Sequence, residues 1–309
     1  MTAVTSNRLS MSASDWALLL LLSVFWGGSF FFTGIAVREI PPLTGAFGRV
    51  LIAGAVLFVV VRAMGLSLPR TRAAWASIAL FSLMNNVFPF SLLFWGQTQI
   101  PSGLAAILNA TMPLFAIVLA HWTTTDDRMT LARLLGVVVG FVGVAIMIGP
   151  DLAGAFDAHV LAQLACLLAA FFYAVSSIYG RRFRHESPAS LALAQMIVST
   201  LIFIPIVLLL ERPWTMAVPS ARALLALAGV GVISTGLAYL IYFRILARAG
   251  ATNLSLVTFL IPVSAILLGT LFLGEVLAPR HFLGMGAIAL GLMAIDGRPA
   301  RFMARALAR

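Results

Sequence analysis

Ten apolar runs, none much shorter than the thickness of a lipid bilayer, constrain this chain more than any other feature. They fall at roughly 15–37, 43–62, 73–96, 103–122, 130–148, 158–180, 188–210, 220–243, 252–273 and 280–296. About twenty apolar residues at about 1.5 Å each cross a hydrocarbon layer of about 30 Å. The first run, Trp16 to Val37, contains no charged residue, and only Arg49 lies well inside any of the others. With 61% hydrophobic and 10% charged residues, the composition excludes an ordinary soluble domain, in which about a quarter of residues are charged. The fold class is therefore all-α integral membrane, with ten transmembrane helices. The first run exceeds the apolar region of a secretory signal, and no small-x-small cleavage site follows it, so it is read as the first helix.

Basic residues orient the spans. There is no lysine among the twenty basic residues. With the N-terminus on one side, that side carries Arg8, Arg62, Arg70, Arg72, Arg128, Arg133, Arg181, Arg182, Arg184, Arg244, Arg248, Arg298, Arg301, Arg305 and Arg309. The opposite side carries only Arg38, Arg212, Arg222 and Arg280. Retention of arginine in the cytoplasm then places both termini inside, which requires an even number of spans. The net charge of +10 is accounted for by this bias, and nucleic acid is not an expected partner. The lipid bilayer and a small-molecule substrate are the expected partners, and a monomer or homodimer is the expected assembly.

The chain is also written twice. Phe25-Trp26, Glu39 and Pro41 recur 147 residues later as Phe172-Tyr173, Glu186 and Pro188. Met112-Pro113 recurs at an offset of 149 as Ile261-Pro262, and Leu135-Gly136 and Gly143 at 148 as Leu283-Gly284 and Gly291. Asp127 corresponds to Glu275 in the same way. Five helices per copy is an odd number, so the second copy enters the membrane from the other side. The expected organisation is a tail at 1–14, a first repeat at 15–150, an inverted second repeat at 151–297 and a basic tail at 298–309. Inverted repeats are a device of secondary transporters, whose binding sites lie at the midplane between the halves.

The first span with Trp26-Gly27, followed by Phe47-Gly48-Arg49 opening the second, resembles the start of an EamA domain of the drug/metabolite transporter superfamily. Phe272-Leu273-Gly274-Glu275, running through Pro279 to Leu283-Gly284 and Gly291, resembles the end of one. The resemblance covers residues 16–296. It implies a ten-helix inner-membrane carrier exporting amino acids and other small metabolites, and bacterial exporters of aromatic amino acids are the nearest branch. Thr125-Asp126-Asp127-Arg128 departs from the pattern that Gly274-Glu275 keeps in the second half.

Candidate substrate-binding residues follow from polarity and aromaticity inside spans. Asn85 and Asn86 in span three and Asn109 in span four must face protein or a water-filled cavity, as must Asn253 at the start of span nine. Ser177 is added on the same ground. Trp26, Trp95, Phe171, Tyr173, Tyr239 and Tyr242 offer walls for a flat or cationic solute. Ordinary helix packing is the other reading of each. Trp16, Trp75 and Trp122 lie near span ends and read as interfacial anchors. Pro89, Pro113 and Pro262 each free a carbonyl one turn back and are taken as structural or gating residues, with bent helices expected at Pro113 and Pro262. Arg49, about two turns inside span two, is taken as structural or gating, snorkelling outward or tying carbonyls near Glu39; a substrate contact is the other reading. Gly136, Gly140, Gly284 and Gly291 read as close-packing sites, for spans five and ten against each other or for a dimer.

The remaining signals carry no chemistry. Cys166 lies alone in an apolar run. His121, His159, His185 and His281 sit at span ends without metal-ligand spacing, and the string from His121 to Asp126 is read as chance. No nucleotide-binding loop or nucleophile elbow occurs, and no cofactor is expected. No carboxylate lies deep in a span, which argues against a proton relay. The expected activity is export of amino acids, aromatic or otherwise apolar, and of aromatic cations, by alternating access. A carrier of nucleotide-sugar or lipid-like solutes, a channel and an intramembrane enzyme are the alternatives.

Overall fold

The computed structural model describes residues 11–123, 129–152 and 157–296. Arg8, Thr125, Asp126, Asp127, Arg128 and the arginines from Arg298 to Arg309 lie outside the described residues. Ten helical segments follow one another: α1 Ala13–Ala36, α2 Pro42–Ala63, α3 Arg72–Gly96, α4 Ser102–Thr123, α5 Leu131–Leu152, α6 Ala158–Tyr179, α7 Pro188–Leu210, α8 Ala221–Gly250, α9 Val257–Leu273 and α10 Pro279–Asp296. Eight are long and apolar enough to cross a membrane, and the last two are shorter apolar helices. No strand occurs among the described residues.

Local chemistry sets where these helices begin. Ser12 and Asp15 form a reciprocal capping box at the start of α1, which satisfies two of the otherwise orphaned donors. Asp157 and Ser220 accept from backbone N–H groups at the starts of α6 and α8. Pro42 and Pro188 occupy first helical positions, where a missing N–H costs nothing.

Most cross-packings between the halves have a partner related by exchanging them, the contact of α5 with α6 being an exception. Helix α1 packs on α9 and α8, as α6 packs on α4 and α3; α2 packs on α8, as α7 packs on α3. The pairs α2 with α7, α4 with α9 and α5 with α10 are their own counterparts.

Glycine permits the closest of these contacts. A Cβ on Gly136 would lie 2.6 Å from the Gly291 carbonyl oxygen, and one on Gly143 would lie 2.6 Å from that of Gly284. Spans five and ten thus pack on each other within one chain. Gly140 faces Leu114 of α4 as well as Gly291. In α1, a Cβ on Gly27 would sit 2.6 Å from that of Ser264 and 2.9 Å from the Ile261 carbonyl, which seats α1 against α9.

One boundary and one bend differ from expectation. Helix α8 continues to Gly250, whose φ of 78° turns the chain, so Asn253 and Ser255 precede α9 instead of lying in it. Helix α4 is interrupted at Ala110-Thr111, next to Pro113. Pro262, by contrast, lies inside a continuous α9, where its missing N–H leaves the residue 258 carbonyl without its helical donor but does not break the helix.

Candidate functional site

Two helices of corresponding position are widened in the middle. Residues Leu83–Val87 of α3 and Val232–Leu237 of α8 form π turns, and adding 149 to the first range reaches the second. A π turn inserts one residue into the helix and is found disproportionately at functional sites. In α3, Pro89 cannot donate to the residue 85 carbonyl, which favours the wider turn. The turns carry Asn85-Asn86 in one half and Ser234-Thr235 in the other.

A cavity of about 590 Å³ lies between them. Trp26, Arg49, Asn85, Asn86, Asn109, Tyr173, Ser177, Tyr239 and Tyr242 all line it, so most of the expected site converges. Ser29, Phe90, Ser176, Gln195, Ser234 and Thr235 complete its polar and aromatic wall. The amides are tied together: Asn85 Nδ2 donates to Gln195 Oε1 at 2.9 Å, and Ser176 Oγ donates to Asn85 Oδ1 at 3.0 Å. Asn86 Nδ2 donates to Ser199 Oγ at 3.1 Å. Asn109 Oδ1 and Ser234 Oγ are buried with no hydrogen-bond partner among the described residues.

The aromatic wall is continuous. Trp26 and Tyr242 have ring centroids 5.7 Å apart, Tyr242 and Tyr239 6.3 Å, and Tyr239 stacks on Phe243 at 5.6 Å. Tyr173 faces the cavity from α6.

Arg49 corrects one expectation. It does not reach outward toward Glu39, because Glu39 is occupied by Ser220. Its guanidinium turns to the cavity, Nε donating to Thr235 Oγ1 at 3.1 Å and the central carbon lying 3.8 Å from the Phe90 ring centroid. Gly231 and Gly236 make this reach possible, since side chains there would strike Ile52 and Val56 and push α8 away from α2.

Trp95, Phe171 and Asn253 are not on the cavity. Phe171 is two residues from Tyr173, about 200° around the helix, and it packs edge-on against Phe115 instead. Trp95 is nine residues beyond Asn86, about half a revolution out of phase, and is 38% exposed on the outer surface. Asn253 turns back on the Ala249 carbonyl at 3.0 Å. Gln195, Ser234 and Thr235 were readable beforehand: Gln195 is an amide inside an apolar span, and the other two are the repeat counterparts of Asn85 and Asn86.

Among the described residues the cavity lining reaches exposed side chains at one end. It extends past Phe81, Phe183 and Leu246 to exposed Arg184 and Pro188, at the end holding Arg62, Arg181 and Arg248. Toward the other end it stops at buried Phe30, Leu93 and Ala106. Beyond them, three carboxylates cross from one half to the other and cap helices. Glu39 accepts from Ser220 N at 2.6 Å and Ser220 Oγ at 2.7 Å, at the start of α8. Glu211 accepts from the Leu43 and Thr44 backbone at 2.9 and 2.6 Å, at the start of α2. Glu275 accepts from Ser102 N, Ser102 Oγ and Gly103 N at 2.9, 2.8 and 3.3 Å, at the start of α4. The Leu273-Gly274-Glu275 motif has its reason here. Gly274 is left-handed at φ 65°, a conformation glycine adopts without penalty. It turns Glu275 back toward α4, past Gly269, where a side chain would collide with that carboxylate.

Helices of bilayer length in two exchanging halves, closed on a half-open polar cavity, define a multi-pass membrane transporter. The chain belongs to the EamA-like transporter family, whose model matches residues 15–149 and again 160–295. It is similar to the uncharacterized transporter YoaV of Bacillus subtilis (strain 168), 23% identical over 89% of this chain and 94% of that protein. It is 27% identical to the uncharacterized inner membrane transporter YedA of Escherichia coli (strain K12), over 90% and 89% of the two chains. The WAT1-related protein At3g02690, chloroplastic, of Arabidopsis thaliana is 25% identical over 91% of this chain and 69% of its own. A crystal structure aligns at a TM-score of 0.65 and 20% identity, covering 96% of this chain and all of the other, a likeness of fold alone.

Proposed function

We propose that the chain is a secondary carrier of a bacterial inner membrane that exports small amphipathic metabolites, amino acids foremost, by alternating access. The observation that carries this reading is a midplane cavity, built by both halves, that opens at one end while carboxylates bridge the halves at the other. On this reading residues 15–150 and 151–297 are inverted repeats, both termini are cytoplasmic, and the open end faces the cytoplasm. A volume of about 590 Å³ is in the range of small-molecule sites. The aromatic wall suits an apolar side chain and the amide cluster suits a polar end. Aromatic cations, the other expected cargo, fit less well, because Arg49 and Arg184 line the wall and no carboxylate does.

Among the described residues the cavity wall also holds no carboxylate to relay protons, so exchange or facilitated movement is the proposed energetics. Purified protein in liposomes preloaded with unlabelled phenylalanine is expected to accumulate labelled phenylalanine by counterflow, saturably and without an imposed pH gradient. Single-channel currents in a planar bilayer, or flux that rises without saturation, would refute the carrier.

A further inference from the structure

Among the described residues Arg49 is the one charged side chain deep in the cavity, and no carboxylate there answers its charge. It lies about two turns into α2 and is 8% exposed. Thr235 takes its Nε and Phe90 lies against its face, which holds the guanidinium plane in place. The Nη1 and Nη2 groups carry four further N–H donors, and no acceptor meets them among the described residues. The three carboxylates of the closed end are each engaged at a helix start, by Ser220, Thr44 and Ser102. A buried guanidinium left unpaired is costly, and an ionisable residue at membrane depth marks the path of the solute by default. From Arg184 at the mouth to Arg49 at the closed end, the lining offers only positive charge.

The geometry points to Arg49 as the anchor for a carboxylate of the transported solute, taken by the free Nη groups as a charge-assisted pair. Trp26, Tyr173, Tyr239 and Tyr242 hold the apolar remainder. This assignment rests on the reading of the cavity as the transport site and narrows it: acids and amino acids enter, and amines lacking an acid do not.

Four probes sharing one phenyl ring test it by calorimetric titration of the full chain in nanodiscs. The acid 3-phenylpropionate and the amino acid phenylalanine are expected to bind, and phenethylamine to bind at least about 30-fold more weakly. Methyl 3-phenylpropionate, which keeps the shape and removes the charge, is expected to lose affinity similarly. Arg49→Gln, checked for folding by size exclusion and thermal unfolding, is expected to weaken both acids about 30-fold and leave phenethylamine unchanged. Arg49→Lys should recover part of the loss. Equal binding of amine and acid, equal binding of acid and ester, a folded Arg49→Gln that keeps its acid affinity, or silence from every probe overturns the anchor. The ester comparison needs no variant, so a misfolded Arg49→Gln does not rescue the idea. Phenylalanine counterflow undiminished in Arg49→Gln would refute the anchor and leave the carrier standing. Binding of acids through Arg49 with no flux of any would do the reverse.

Discussion

The two ends of this molecule are built from the same repeat, yet one is tied shut across the halves and the other is open. At one end Glu39, Glu211 and Glu275 each leave their own half to cap a helix of the other. At the other end Asp15 meets Arg248 across the halves at 3.2 Å, and the cavity emerges beside them between Phe81, Phe183 and Leu246. Duplication alone would make the ends alike. Glu186 is the repeat counterpart of Glu39, yet it is exposed and caps no helix among the described residues. The difference therefore lies in side chains, not in the helix frame. A carboxylate at a helix start satisfies orphan N–H groups and the positive end of the macrodipole together, and three such caps tie the halves where the cavity is shut.

Removing a cap outright should disturb this asymmetry most. Glu275→Ala deprives α4 of three hydrogen bonds and is expected to cost about 2 kcal/mol, read as a lower midpoint of thermal unfolding. It should also raise labelling, by an impermeant maleimide applied at the capped end, of a cysteine placed at Ser29; unchanged labelling would mean that the caps do not hold that end shut. Glu211→Gln keeps shape and some hydrogen bonding but loses the charge, so about 1 kcal/mol is expected from the same measurement.

Acid should act on the third cap. The Ser220 backbone and hydroxyl hydrogen bonds hold the Glu39 carboxyl below its ordinary value of 4.5. A group depressed on folding contributes its full stabilisation above its unfolded pKa and loses it as pH falls through the folded one. The cap's contribution to the midpoint of thermal unfolding should thus be constant from pH 7 down to about 5 and be lost only below the ordinary carboxylate range, and Glu39→Gln should remove its share of that loss. The smallest effect is expected at the open end. The Arg248 side chain is 43% exposed, so Arg248→Ala should cost about 0.5 kcal/mol or less and leave labelling at the capped end unchanged. A larger shift there would erase the contrast between the ends.

Much of the site was legible one residue at a time. Arg49, Asn85, Asn86 and Asn109 stood out because a polar group inside an apolar span must face something other than lipid. Gln195 deserved the same treatment and did not receive it. Trp95 and Phe171 were misplaced for a different reason. Being aromatic and inside a span says nothing about which side of the helix a residue takes, and each lies about half a revolution from the residue it was grouped with. The π turns compound the difficulty, since each inserted residue rotates everything beyond it by about 100°.

The sequence by itself determined the number of spans, the duplication and the short list of polar residues with nowhere to hide. Those are properties of single segments, because the cost of moving a residue from water into lipid does not depend on the rest of the fold. Only the tertiary structure decided which faces meet, that Arg49 turns to Thr235 instead of Glu39, and that acids at three helix ends cap helices of the opposite half. Such contacts join residues more than 160 positions apart. They depend on helix rotation and on close approaches at single glycines, and no local preference along the chain encodes either.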